Sequence, residues 1–190
     1  FSGNKAGVEY NTVDDRLVVV ENTGTLNDIY NEGILNLKAK DGKSITFAGT
    51  ITDADTPAGT MTVGASGYTG STILNNAVTQ NTINTGYGTT QFGAAVNATN
   101  LNLNSGTLKL TGDNILNATN TTFAGGTLNT QNSSIGTQDL KAFNLTGNTN
   151  WSLDVNASAK TADTLSASTS ATITSGKTLN INNINWTKLR

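Results

Sequence analysis

Two carboxylates in a short polar segment are the first residues whose type and spacing could bind a ligand. Asp53 and Asp55 lie two positions apart in the segment DADTP, and an extended backbone turns residues with this spacing to the same side. Such a pair can serve as ligands for Ca²⁺, which prefers oxygen donors. The turn residues around the pair favour a solvated surface loop instead, and no tandem GGxGxDx calcium-binding repeat is present. The sequence therefore predicts no metal site and marks Asp53 and Asp55 as residues of a surface-binding loop.

Aromatic residues form the second group, because flat rings can stack on sugars. Tyr68 and Tyr87 both follow a glycine within polar segments, which favours exposed loops and makes them the better surface-binding residues. Trp151 and Trp186 could also stack on sugars. Packing in the core or at an end of the fold is the preferred interpretation for both tryptophans.

Two further acidic groups could in principle do catalysis. Asp14 and Asp15 stand beside Arg16, an arrangement that a polysaccharide lyase could use, but adjacent residues of a strand point to opposite faces and do not converge. Asp154 and Asp163 flank a loop, and their separation does not specify the paired geometry of a glycosidase. We interpret the first group as a solvated end and the second as structural turn or ladder residues, so no catalytic residue is predicted.

Composition excludes several classes of chemistry. The chain of 190 residues has no cysteine and no histidine, which removes disulfides, thiolate chemistry and the commonest general base. The net charge is −2 and Lys and Arg are not clustered, so nucleic-acid binding is not expected. No apolar run approaches the roughly 20 residues that span a bilayer. No cofactor is predicted.

Short alternating segments predict an all-β fold. Thr, Asn and Gly number 34, 27 and 20, which favours β-structure rich in turns, and residues 101–130 alternate leucines with polar residues. The triplet Gly-Thr-Leu occurs at 106–108 and again at 126–128, without the Asn-Gly or Asp-Gly signal of a tight hairpin between them. A β-sandwich would also have short strands, but this 20-residue step favours a parallel β-helix with Asn and Thr ladders outside. The chain length then gives about nine rungs.

The same alternation predicts which side chains are buried and which segments are strands. The predicted strands are residues 17–20, 34–37, 44–47, 60–63, 71–74, 79–83, 143–145, 151–155, 164–165, 171–173 and 179–181. Residues 86–93 are predicted to be a loop, and residues 138–142 one helical turn. The residues predicted to point inward are Ile45, Phe47, Leu103, Leu108, Leu110, Phe123, Leu128, Leu145, Leu153, Leu165 and Leu179.

Several passages resemble the passenger domains of bacterial autotransporters. They are GKSITF at 42–47 followed by Ile51 and GTM at 59–61, the segment YTGSTILNN at 68–76, and the region from NLTGN at 144–148 through LDV at 153–155 to ADTL at 162–165. The resemblance covers about residues 35–186. It implies a right-handed parallel β-helix, exported across the outer membrane to the bacterial cell surface. It also implies a downstream outer-membrane β-barrel as the only membrane association.

These observations lead to one main functional hypothesis and two alternatives. The main hypothesis is a non-enzymatic surface passenger, acting as an adhesin or a stalk, whose partners are host or bacterial surface glycans or proteins. The alternatives are a carbohydrate-active β-helix enzyme, either a polysaccharide lyase or a hydrolase, and a self-assembling surface filament with homotypic contacts. Binding is expected on the loops at 53–56, Tyr68 and 86–90.

Residues 1–190 are expected to form a single β-helix segment of a longer passenger. Residues 1–16 are expected to be an irregular N-terminal end. The C-terminal end is expected to be an open surface on which further chain continues the stack.

Overall fold

The structure, a computed structural model, describes residues 8–11, 16–19, 25–26 and 28–186. This part of the chain contains 22 β-strands and no helix. The strands in chain order are β1 (Val8–Asn11), β2 (Arg16–Val19), β3 (Thr25–Leu26), β4 (Ile29–Tyr30), β5 (Ile34–Leu37), β6 (Ser44–Phe47), β7 (Ile51–Thr52), β8 (Thr60–Val63), β9 (Ser71–Leu74), β10 (Val78–Thr85), β11 (Thr89–Phe92), β12 (Val96–Leu103), β13 (Thr107–Leu110), β14 (Leu116–Phe123), β15 (Thr127–Asn129), β16 (Thr137–Asp139), β17 (Ala142–Leu145), β18 (Thr149–Asn156), β19 (Thr161–Ala162), β20 (Thr164–Ser166), β21 (Ser170–Ile173) and β22 (Leu179–Trp186).

The strands stack into long parallel sheets, as in a β-solenoid. One sheet has the order β1-β2-β5-β8-β10-β12-β14-β17-β21, with β4 and β7 joined to it beside β10. A second has the order β19-β18-β15-β13-β11-β9-β6-β3, with β22 also paired to β18, and β16 pairs with β20. Among these strands only β1–β2 and β18–β19 pair antiparallel. The predicted all-β, parallel stacked fold is confirmed.

The Gly-Thr-Leu repeat marks one step of this stack. Thr107 lies beside Thr127, and Leu108 beside Leu128, in parallel register. The step is not constant along the chain. Leu108 pairs on its other side with Thr90, 18 positions earlier, whereas Trp151 pairs with Ile181, 30 positions later. The connections between strands absorb these differences, so the strands remain in register.

The core lies between the sheets and contains most of the predicted residues. Nine of the eleven are buried, and Leu103, Leu108 and Phe123 are fully inaccessible. Leu165 and Leu179 are only half-buried, although both pack against the core. The prediction was therefore too strong for these two, because they belong to the last turns described, where β21 and β22 are mostly exposed.

Three local predictions differ from the structure. Residues 86–93 were predicted to be a loop, but Thr89–Phe92 form β11 between β9 and β13. Residues 138–142 form no helical turn, because β16 ends at Asp139 and β17 begins at Ala142. Within the N-terminal stretch predicted to be irregular, Val8–Asn11 form a strand that pairs with Arg16–Val19. Asp14 and Asp15 lie outside the described residues.

A column of glycines allows the turns to stack closely at one corner. The carbonyl oxygens of Gly88 and Gly106 accept hydrogen bonds from Thr107 and Thr127 of the next layer, each at 2.8 Å. Gly106 has a φ of +67°, and a Cβ added there would lie 2.4 Å from the Gly88 carbonyl oxygen. This position therefore requires glycine for its left-handed backbone and for its close contact.

Replacing Gly106 with alanine should destabilise the fold far more than the same change at Gly42. Gly42 has the same φ of +67° but nothing within 4 Å of an added Cβ. Gly42→Ala should cost about 1–2 kcal/mol, the left-handed penalty alone. Gly106→Ala should cost at least about 2 kcal/mol more, because backbone atoms must move. Urea unfolding measures both free energies, and equal costs would mean that the glycine column does not set the layer spacing.

Thr121 is a polar residue in an apolar row of the core. It lies in register between Leu101 and Phe143 and is 1% exposed. Its hydroxyl has no hydrogen-bond partner among the described residues. Thr85 is equally buried, but its hydroxyl donates to the Asn102 carbonyl at 3.2 Å. Because an unpaired buried hydroxyl is unfavourable, Thr121 reduces the stability of the core.

Thr121→Val should therefore stabilise the protein, by about 1 kcal/mol, since valine keeps the shape and removes the unpaired hydroxyl. Thr85→Val is the matched control and should destabilise by about 1 kcal/mol, because a hydrogen bond is lost. Thermal unfolding followed by circular dichroism gives both signs. A lower melting temperature for Thr121→Val would contradict the interpretation.

The last two strands expose large apolar side chains. Ile173, Ile181 and Trp186 are 58–62% exposed. Among the described strands, β22 pairs only with β18. The expectation that further chain covers this end stays a prediction.

Candidate functional site

A polar groove crosses the outer surface where β10, β12 and β14 bend, and its volume is about 280 Å³. One residue in each strand is passed over in the ladder, and the alternation of buried residues changes phase there, which indicates the bend. Gln80 pairs with Ala98 and Thr82 with Asn100, so Asn81 and Thr99 are passed over. Lining the groove are Pro57, Thr79, Gln80, Asn97, Ala98, Thr99, Asn117, Thr119 and Lys141.

Two identical tetrapeptides build the centre of this groove. Asn-Ala-Thr-Asn occurs at 97–100 in β12 and at 117–120 in β14, and the two copies stack in register through Asn97–Asn117 and Ala98–Ala118. Ala98 is partly buried and lines the groove, whereas Ala118 is buried in the core beneath it. The asparagines and the bend threonines lie at the surface. The repeat therefore supplies a recess bordered by amides and hydroxyls.

Lys141 begins a directed chain of hydrogen bonds along the groove. Its Nζ donates to Oδ1 of Asn117, and Nδ2 of Asn117 donates to Oδ1 of Asn97 at 2.9 Å. An ammonium group has three donors, so two remain at Nζ, and Nδ2 of Asn97 has no acceptor among the described residues. Hydrogen bonds that point the same way polarise one another. The groove therefore offers free hydrogen-bond donors at both ends of this row of hydrogen bonds, at Lys141 Nζ and at Asn97 Nδ2.

The position of Lys141 is fixed by its backbone. Its φ is +54°, and its N–H donates to Oδ1 of Asp139 at 2.9 Å. The Asp139 carboxylate also accepts hydrogen bonds from the hydroxyl and the N–H of Ser168, at 2.6 and 3.0 Å. The Ser168 hydroxyl, the two N–H groups and the nearby Lys141 charge lower the pKa of Asp139. The charged carboxylate thus anchors the turn that holds Lys141 over Asn117.

Gln80 closes the inner side of the groove without leaving polar atoms unpaired. It is fully buried, and its Nε2 donates to the carbonyls of Thr79 and Asn31 at 2.8 and 3.1 Å. Its Oε1 accepts from Nδ2 of Asn31 at 2.6 Å. Gln80 is therefore occupied by the fold, and the groups that remain free for a ligand lie farther along, at Asn97 and Lys141.

The Asp53 loop borders the opposite end of the groove through Pro57. Both carboxylate oxygens of Asp53 bind the loop itself. Oδ1 accepts from the Ala54 N–H at 2.7 Å, and Oδ2 accepts from the Gly59 N–H at 2.7 Å. Asp55 is exposed. No group of three or more metal-ligating side chains occurs among the described residues. Asp53 thus has a structural role, and its surface-binding role stays a prediction.

Tyr68 and Tyr87 lie on a different corner from the Asp53 loop, in the connections from β8 to β9 and from β10 to β11. Tyr87 is 49% exposed and its N–H donates to the Ser105 hydroxyl at 2.9 Å. Tyr68 is half-buried, and the Nζ of Lys38 lies 5.5 Å from its ring centre. Neither ring lines the groove. The four residues predicted from the sequence therefore do not form one site.

The two tryptophans have different environments. Trp151 packs against the core, and its Nε1 donates to the Thr130 hydroxyl at 3.1 Å, so the packing interpretation is confirmed. Trp186 is 62% exposed at the end of β22, so the packing interpretation is wrong for Trp186 in the described part of the chain.

Tyr30 is also exposed, and a hydrogen bond to the Glu32 carboxylate raises the pKa of Tyr30.

Asp154 and Asp163 organise the connection between β15 and β16. Oδ2 of Asp154 accepts from the N–H groups of Asn132 and Ser133, each at 2.8 Å. Oδ2 of Asp163 accepts from the Thr130 hydroxyl at 2.7 Å and from the Asp154 N–H at 2.9 Å. Both carboxylates are buried. The structural interpretation is confirmed, because these oxygens stabilise the backbone of the loop.

Sequence reasoning missed the groove, although its signal was present. The repeated tetrapeptide Asn-Ala-Thr-Asn, with its 20-residue step, marks the two central layers. Lys141 had no comparable signal, because it reaches Asn117 through a left-handed turn between β16 and β17.

Comparison of the chain with models of protein families, with curated proteins and with solved structures found no match. In the described residues there is no helix of sufficient length and apolar character to cross a membrane.

Asp53→Ala should destabilise the protein by about 1–2 kcal/mol, because it leaves backbone N–H groups of the loop without their acceptor. Asp55→Ala is the matched control and should change stability by less than about 0.5 kcal/mol. Calcium at millimolar concentration should leave the melting temperature unchanged. A calcium-dependent rise that both substitutions abolish would instead establish a calcium site.

Proposed function

We propose that the chain is a non-enzymatic surface passenger of the autotransporter type, acting as an adhesin or stalk. The observation that carries this proposal is the use of its buried carboxylates. Asp154 and Asp163 are occupied with loop backbone and hydroxyl donors, and Asp53 closes its own loop in the same way. Acid–base catalysis needs carboxylates directed at a substrate. These three carboxylates instead maintain a stacked scaffold.

The proposed scaffold is a right-handed β-helix. Crossovers between parallel strands of one sheet are right-handed in most proteins, which supports this hand. The path from β3 through β6, β9, β11, β13, β15 and β18 to β22 contains eight strands, which supports eight rungs over the described residues, against about nine from the chain length. A stiff solenoid presents lateral surfaces along its whole length, which suits an adhesin or a stalk.

The proposed location is the bacterial cell surface, outside the outer membrane. The absence of cysteine supports it, because disulfides formed in the periplasm would hinder threading of an unfolded chain. The proposed partners are surface glycans or proteins. The outer faces carry the chemistry for such contacts, since amide pairs such as Asn84–Asn102 and Asn100–Asn120 form ladders along the axis.

Self-assembly is a second candidate, and the end at β22 favours it. Ile181, Ile184 and Trp186 are exposed side chains of β22, which has one described neighbour, β18. Open strand edges with apolar side chains promote pairing with other chains. A second copy of the chain could then occupy this end.

Labelling of intact cells tests the main proposal. Antibodies against the chain should label unpermeabilised cells of the source organism, and external protease should remove the signal. A periplasmic protein is the control and should stay unlabelled. Labelling that requires permeabilisation would contradict the surface location.

Activity and assembly are tested on the purified chain. Incubation with a panel of polysaccharides should release neither reducing ends nor unsaturated products, and clear turnover would favour the enzyme alternative. Light scattering should give a concentration-independent mass. Growth with concentration that Trp186→Ser reduces would favour the filament instead.

A further inference from the structure

We infer that the groove between Pro57 and Lys141 binds an acidic oligosaccharide, with a sugar carboxylate at Lys141 and sugar hydroxyls along Asn117 and Asn97. The inference rests on the proposed function, because it names the ligand chemistry of a passenger that contacts surface glycans. The groove meets the Asp53 loop only at Pro57 and lies outside the Tyr68 and Tyr87 loops, so most of it is a separate binding surface.

The length and shape of the groove suit a chain of sugars. Thr79, Asn97 and Asn117 stack in neighbouring layers, and Lys141 reaches Asn117 from the next layer. Layers about 4.8 Å apart make this row roughly 14 Å long. An open groove of about 280 Å³ accommodates an extended oligosaccharide that remains partly in solvent.

The free hydrogen-bonding groups select for acceptor-rich ligands. Lys141 has two donors beyond its bond to Asn117, and the Nδ2 group of Asn97 adds donors at the other end of the directed chain. The hydroxyls of Thr99 and Thr119 have no partner among the described residues, and both are exposed. Carboxylate and sugar hydroxyl oxygens are the acceptors that match this array.

Charge determines which ligand fits and how it is oriented. Lys141 is the one charged residue among those that line the groove. A carboxylate at Lys141 forms a charge-assisted hydrogen bond, which a neutral sugar does not offer. The exposed Asp55 lies in the loop at the other end, two positions before Pro57. Repulsion from Asp55 disfavours a ligand carboxylate at that end of the groove and favours one at Lys141.

The groove does not have the side chains of a glycoside hydrolase. Its described lining contains no carboxylate, whereas glycoside hydrolysis uses a pair of them. Asp139 lies next to Lys141 in the fold, but its oxygens accept from Ser168 and from the Lys141 N–H. A bound acidic glycan should therefore dissociate from the groove without being hydrolysed.

Nuclear magnetic resonance titration of the full chain with trigalacturonate tests the inference. Amide shifts of Asn97, Thr99, Asn117, Thr119 and Lys141 should move together with a single dissociation constant. The methyl ester of the same trisaccharide keeps the rings and all of their hydroxyls but lacks the charge. It should bind at least about tenfold more weakly, as expected for loss of a charge-assisted hydrogen bond.

Lys141→Gln should weaken trigalacturonate binding by about tenfold or more and leave ester binding nearly unchanged. Lys109→Gln is the matched control, because Lys109 is half-exposed on β13 in the other sheet. It should change neither affinity. Circular dichroism and melting temperature should be the same for both variants and the wild type, which separates a loss of binding from a loss of fold.

Three results would overturn the inference: shifts that map outside the groove, equal affinity for acid and ester, or equal losses for the two lysine variants. None of them bears on cell-surface labelling, so the proposed function would stand. Conversely, cleavage of trigalacturonate during the titration would overturn the non-enzymatic proposal, while shifts in the groove would still support the binding site.

Discussion

The axial hydrogen bonds between successive turns are the interaction on which the rest of the structure depends. Each turn offers its backbone groups to the turns before and after it, so every layer must keep the same spacing. At the corners before β11, β13 and β15 this spacing brings backbone to backbone, as in the bonds from Thr107 to Gly88 and from Thr127 to Gly106. There is no room for side chains at these corners. The constant spacing between layers therefore depends on glycine as well as on the leucine rows of the core.

The same spacing explains the high content of asparagine and threonine. Like residues in register lie about 4.8 Å apart, a distance at which amides can hydrogen-bond directly, as Asn84 and Asn102 do at 2.8 Å. Such ladders satisfy side chains at the surface without using charge. Polar side chains that point into the core need hydrogen-bond partners within the protein. Gln80 needs several backbone partners to be buried, and Thr121 is buried without one.

Much of this architecture could be predicted from the sequence, because its signals are local. Alternation identified the inward leucines, and the Gly-Thr-Leu step identified the register of Leu108 on Leu128. The predictions that failed share one cause: the outcome depended on the neighbouring layers and not on the local sequence. Residues 86–93 look like a loop by their glycines, yet Thr89–Phe92 form a strand because neighbouring layers on both sides supply hydrogen bonds. Leu179 has a core pattern but lies in a turn that the described chain covers on one side only.

The groove was harder to predict because it depends on residues that the stacking places together across layers of different length. Asn97 and Asn117 are 20 positions apart, but Lys141 follows Asn117 by 24 and reaches it through a left-handed turn. A constant repeat would have placed another β-strand residue there. The longer step supplies a cation at the end of an otherwise uncharged amide row. In a solenoid the regular layers thus fix the position of a surface, and a departure from the repeat gives that surface its chemical character.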